Sequence, residues 1–144
     1  MATKTTTDLT VTTDEHPNAL RLREGFAAFG NGDLDTVRDQ MTADCTWVNA
    51  GNSAIAGTHQ GWEAISAMFG ALLEATGGTF SMTLVSVLAD DRQAVAVYDA
   101  TSTVKGRTQT DRFVLVDEMT PEGKVATTHV LAFDQIAADA HLSR

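Results

Sequence analysis

A single cysteine, Cys45, stands in the 144 residues, so no internal disulfide and no multi-cysteine metal site is available to this chain. Basic residues are also scarce. Ten Lys and Arg face nineteen Asp and Glu, giving a formal net charge of −9, and that balance excludes nucleic acid and anionic membrane surfaces as natural partners. No apolar run is long enough to span a bilayer, and residues 1–15 are Thr- and Asp-rich with no hydrophobic stretch of the kind a secretory leader needs. Residues 1–15 read as a loosely held arm and 16–144 as one domain, with the cytoplasm as the expected compartment. The four histidines, His16, His59, His129 and His141, never stand at H-x-H or H-x-x-x-H spacing, so no metal site is expected. Neither Gly30-Asn31-Gly32 nor Gly77-Gly78 has the strand-to-helix setting of a phosphate loop, and no organic cofactor is implied.

What is present is a change of period. Pro17 suits a first helical turn, and Leu22, Phe26 and Phe29 then recur at i, i+4 and i+7. Gly30-Asn31-Gly32 ends that helix, and Asp33 can cap a second, short one whose Leu34, Val37 and Met41 fall on one side. A short strand is expected over 45–49, with Cys45, Trp47 and Asn49 on one face. A third helix over 61–75 carries Ile65, Met68, Phe69, Leu72 and Leu73 at helical spacing. From Thr79 the pattern alternates, which predicts strands at 79–88, 93–104, 107–119 and 124–133 joined by short antiparallel connections. Residues 134–140 read as a short helix that closes one end of the fold or packs on a partner. The class is α+β: three N-terminal helices packed in a curved antiparallel sheet.

Three spaced motifs carry a resemblance: Ala28-Phe29-Gly30-Asn31-Gly32-Asp33-Leu34-Asp35, Ala43-Asp44-Cys45-Thr46-Trp47 and Gly57-Thr58-His59-Gln60-Gly61-Trp62-Glu63-Ala64-Ile65. In that order they resemble the SnoaL-like branch of the nuclear transport factor 2 superfamily over about residues 18–142. The resemblance implies a sheet curled into a cone around an internal pocket, on a scaffold that hosts isomerases, cyclases, epoxide hydrolases and binding proteins. Aligned with ketosteroid isomerase, Gly25, Asn49 and Leu115 fall where that enzyme has its oxyanion Tyr, general-base Asp and oxyanion Asp, so that activity is rejected. Aligned with limonene epoxide hydrolase, Asn49 matches a water-positioning Asn. Ala96, Tyr98 and Val130, or Val97 and Asp99 after a one-residue slip, replace its charged relay, which makes that hydrolysis improbable.

SnoaL-like polyketide cyclases use one pocket carboxylate without a metal, and the residue expected to serve here is Asp111, which shares strand parity with Phe113 and Leu115. Burial against Trp47, Phe113 and Tyr98 would raise its pKa and suit it to acid–base work. Tyr98 and Asn49 are expected to polarise a ligand oxygen, making Asp111, Tyr98 and Asn49 the catalytic set. Trp47, Phe69, Phe113, Leu115 and Val130 are expected to line an apolar pocket, with His59 at its mouth. His129 and Asp99 are the alternative proton carriers. The expected partner is a small hydrophobic, oxygenated molecule, either turned over or only bound, and a filled-core dimeric scaffold is the third possibility. Val95 and Val97 leave the opposite strand face apolar as well, which predicts a homodimer packed through it.

Overall fold

The computed structural model describes residues 15–143. The expected N-terminal arm lies outside them except for Glu15, whose carboxylate pairs with Arg23 at 2.9 Å. Helix α1 is Pro17–Gly30, with the His16 ring accepting the Asn18 N–H at 3.0 Å as its cap. Asp33 caps α2, Leu34–Asp39, through the Thr36 N–H at 3.2 Å. Met41 does not extend that helix. It opens strand β1, Met41–Asn49, because its pairing with Val125 outweighs the weak propensity of a six-residue helix. Strand β2, Gly57–Gln60, replaces the expected loop before α3, Gly61–Ala75. Strands β3 (Ser81–Ala89), β4 (Gln93–Val104), β5 (Arg107–Met119) and β6 (Val125–Ala132) follow, and α4, Gln135–His141, ends the described chain.

The strands form one sheet in the order β2-β1-β6-β5-β4-β3. The three ladders among β3, β4, β5 and β6 are antiparallel as expected; β2 adds a fourth antiparallel ladder on β1, and β1 runs parallel to β6. The hairpin between β4 and β5 turns on Lys105 and Gly106, whose φ of 52° and 81° place both in the left-handed region that a two-residue twisted turn requires. The sheet curves without closing, and the helices fill its concave side: α1 packs on β3 and β4, α3 on β1 and β2. Alternation on β4 sets the faces, since Ala94, Ala96, Tyr98 and Ala100 are all buried while Val95, Val97, Asp99 and Thr101 are only half-buried.

Two apolar clusters result. One joins α1 to the middle of the sheet through Leu22, Ala96, Tyr98 and Leu115, and the other joins α3 to β1 through Cys45, Ile65, Met68 and Phe69. Trp47 touches both. Edge-to-face contacts of Trp47 with Phe69 at 5.1 Å and of Phe29 with Phe80 at 6.2 Å tie them together, each worth about 0.5–1.5 kcal/mol beyond its buried area. Between the clusters the packing is left open.

Candidate active site

A cavity of about 150 Å³ occupies that gap. Its floor is a grid set by strand register. One row runs Trp47, Thr128, Asp117 and Ala94 across β1, β6, β5 and β4, and the next runs Asn49, Val130, Leu115 and Ala96. A third pairs Phe113 with Tyr98. Leu22, Phe26 and Phe29 from α1 and Met68, Phe69 and Leu72 from α3 cover it, and Gln135, Ala138, Asp139 and Leu142 close one end.

Trp47, Asn49, Phe69, Tyr98, Phe113, Leu115 and Val130 all line this cavity, whereas Asp111 and His59 do not. Asp111 is half-buried one register step beyond the Phe113 row, and its two oxygens accept from Gln109 Nε2 at 3.2 and 2.9 Å. The same nitrogen donates to the Ala137 carbonyl on α4 at 3.1 Å, and Ser102 Oγ lies 3.0 Å from His141 Nε2. Helix α4 therefore crosses the sheet at this end and separates Asp111 from the cavity. His59 Nε2 binds the Ile55 carbonyl at 3.1 Å, so its role is to hold the segment between β1 and β2. Asp99 is paired with Arg112 at 2.8 Å, which keeps its carboxyl below the ordinary range, and this pair lies on the outer face. His129 alternates with the cavity residues Thr128 and Val130 and pairs with Val116 and Val48.

The carboxylate that the sheet places on the cavity wall is Asp117, six residues along the same face of β5 from the expected one; Asp139 of α4 lies at the closed end. It is 6% exposed, and Thr128 Oγ1 donates to its Oδ1 at 2.6 Å. Burial pushes its carboxyl up to about 7, with the Thr128 hydrogen bond pulling the other way. Parity alone could have found it, because Phe113, Leu115 and Asp117 form one alternating series. Cys45, buried beside it, is pushed to about 12 by burial and by the charges of Asp117 and Asp44, so it is an inert thiol.

Tyr98 and Asn49 are among the other polar side chains that line the cavity. Tyr98 stacks on Phe113 at 5.5 Å and meets the edge of Phe26 at 5.1 Å. Its pKa is raised by burial alone, and its hydroxyl makes no hydrogen bond among the described residues. The Asn49 side chain accepts from Trp47 Nε1 at 2.9 Å and donates to the Ile55 carbonyl at 2.8 Å, leaving one N–H without a partner among the described residues. Among the described residues no three His, Cys, Asp or Glu gather as metal ligands, and no helix is long and apolar enough to cross a membrane.

These features can be set beside known proteins. Residues 22–138 match the SnoaL-like domain family. An uncharacterised protein of Mycobacterium tuberculosis is 36% identical over 78 residues, 54% of this chain and 60% of the relative, so the match spans less than two thirds of that protein. Bal32a, from a soil-derived mobile gene cassette, is 34% identical, with a TM-score of 0.82 over 87% of this chain and 95% of its own. TerC, co-crystallised with polyporic acid, shares the fold at 21% identity, with a TM-score of 0.77 over 88% of this chain and 98% of its own. With the match covering most of the domain and a curved sheet holding helices over an internal cavity, this chain belongs to the SnoaL-like domain family.

Proposed function

We propose that the protein binds a small hydrophobic, oxygenated molecule between its helices and its sheet. Asp117 then moves a proton on that molecule without a metal or organic cofactor, in the manner of a cyclase or isomerase. One observation carries this reading: a carboxyl group that is 6% exposed and pushed to about 7 sits on the wall of a mainly apolar cavity. A carboxyl at that value is populated in both protonation states near neutrality, which general acid–base catalysis requires. TerC, crystallised with polyporic acid on the same fold, supports a small-molecule role.

Tyr98 pairs with Phe113, four residues from Asp117, which is on the order of 13 Å along the strand. Tyr98 therefore stands two inward-facing rows from Asp117, and its hydroxyl is assigned to orienting the ligand. Asn49 contributes one N–H. The alternative is a binding protein without turnover, which draws on the Asn49 amide being tied by both Trp47 and Ile55. A homodimer belongs to the same proposal. Its surface is the outer face, where Val97, Val114 and Leu131 stand side by side next to Val95 and Val116, and Leu131 is 43% exposed. A cytoplasmic setting fits the unpaired Cys45.

Exchange of α-protons for deuterium in a panel of carbonyl compounds, followed by NMR, tests the chemistry without knowledge of the substrate. Wild type is expected to accelerate exchange, Asp117→Asn to lose the acceleration and Asp111→Asn to keep it. Undiminished exchange in Asp117→Asn would sink the assignment. Ligand-induced stabilisation with no exchange in the wild type selects the binding protein.

A further inference from the structure

The charge inventory of the cavity narrows what can enter it. Among the described residues that line it there is no lysine, arginine or histidine, and its carboxylates are Asp117 and Asp139. An anionic ligand would lose its water, find no counter-charge and face Asp117. A cation fares little better. Asp139 is already engaged by Gln135 Nε2 at 3.0 Å and the Asn52 N–H at 3.1 Å, and the strand carbonyls of the floor belong to their ladders. An ammonium with three protons would meet one carboxylate oxygen that has no partner among the described residues, Oδ2 of Asp117. An uncharged oxygen needs only a single donor. Because Thr128 occupies Oδ1, a proton on Asp117 rests on Oδ2, where it can be donated. The space is small as well: about 150 Å³ is the volume of a cavity that takes benzene, so one ring is what it can surround.

Building on the reading that the cavity takes a small oxygenated molecule, we propose that its ligand is an uncharged single-ring compound whose hydrogen-bond-accepting oxygen is held by protonated Asp117, and that carboxylates, phosphates and amines are excluded. The ring lies against Trp47, Phe69, Leu115 and Val130. Binding is coupled to proton uptake by Asp117. Around that carboxyl, β6 supplies Thr128, β4 supplies Ala94, β1 supplies the Cys45 thiol, pushed to about 12, and α1 supplies Arg21 across a second cavity of about 10 Å³. Asp117 is thus the group among them whose charge changes between pH 6 and 8.5.

Four probes with the same ring test this: cyclohexane, cyclohexanone, cyclohexanecarboxylate and cyclohexylammonium, titrated into the ¹⁵N-labelled protein at pH 6 and pH 8.5 with the Trp47 indole N–H as reporter. Cyclohexanone is expected to bind tightest at pH 6 and about 30-fold more weakly at pH 8.5, following the protonated fraction of Asp117. In Asp117→Asn, whose amide donates at every pH, ketone binding is expected to persist and its pH dependence to vanish. Carboxylate or ammonium binding as tight as the ketone's would overturn the proposal, as would ketone affinity that ignores pH in the wild type. If cyclohexane binds and the ketone binds no better, the cavity reading stands and this inference falls; if no ring compound binds, both fall.

Discussion

Replacing Asp117 by Asn should stabilise the protein, and more so as the pH rises. The folded state holds this carboxyl at about 7 against an ordinary 3.8, so between those values the folded chain keeps a proton that the unfolded chain has released. Stability from this group is therefore complete below about pH 4, declines as the pH climbs through 7, and is flat above. At 1.36 kcal/mol per pH unit the decline amounts to about 4 kcal/mol. Asn fills the same volume, keeps an oxygen for the Thr128 hydroxyl, and never ionises. The variant should match wild type near pH 4 and exceed it by up to about 4 kcal/mol at pH 8, or roughly 12 °C in Tm for a domain this size. Urea unfolding of both proteins at pH 4.5, 6, 7 and 8.5 measures it, and the remaining carboxylates cancel in the difference. A difference that stays constant with pH, or a variant that loses ground at pH 8.5, refutes the claim that this carboxyl is held near neutrality by burial.

Three further outcomes follow from the geometry. Tyr98→Phe removes a hydroxyl with no protein partner among the described residues, so stability should change by less than about 0.5 kcal/mol while ligand affinity falls several-fold; a large drop in Tm would show a structural hydrogen bond instead. Val130→Phe pushes a ring into the cavity and should cut ligand binding by more than about tenfold, with folding stability held within about 2 kcal/mol, as read by calorimetry and urea titration. Leu131→Lys on the outer face should convert the proposed dimer to monomer in sedimentation velocity at unchanged circular dichroism; an unaltered sedimentation coefficient removes that face from the interface.

Local pattern carried most of the fold. The boundaries of α3, β4 and β5 follow from period and turn residues alone, because a long amphipathic helix and a tight hairpin are specified by neighbours in sequence. The parallel pairing of β1 with β6 is a non-local choice that joins residues some eighty positions apart, and no turn announces it. Strand β2 is four residues of Gly57, Thr58, His59 and Gln60, too short and too polar to show alternation, and it exists because β1 offers it an edge. The site divides in the same way. Parity placed Tyr98, Phe113 and Leu115 inward together. It equally placed Asp111 and Asp117 on that face, and the choice between them depends on where α4 crosses the sheet, which Gln109 and Ser102 fix through contacts that strand periodicity does not encode.

The placement of Asp117 also bears on whether the cavity is an accident of packing. An unfilled space of about 150 Å³ lined by apolar side chains forgoes about 4 kcal/mol at 24 cal/mol per Å³, and the charged carboxyl beside it forgoes a similar amount above pH 7. Both sacrifices fall in one place, and together they rival a large part of the 5–15 kcal/mol by which ordinary domains stay folded. A scaffold that served only to dimerise through its outer face would lose nothing by carrying Leu at position 117, Val in place of its partner Thr128 and a larger residue at Val130, and would be more stable for it. Local departures from good packing and polar satisfaction cluster where a protein does chemistry or holds a ligand. Here the departures coincide with a tyrosine hydroxyl that has no hydrogen-bond partner among the described residues, in a wall of aromatic rings. That coincidence favours a ligand site over a relic, and it makes the pH dependence of Asp117 the property on which the two accounts part.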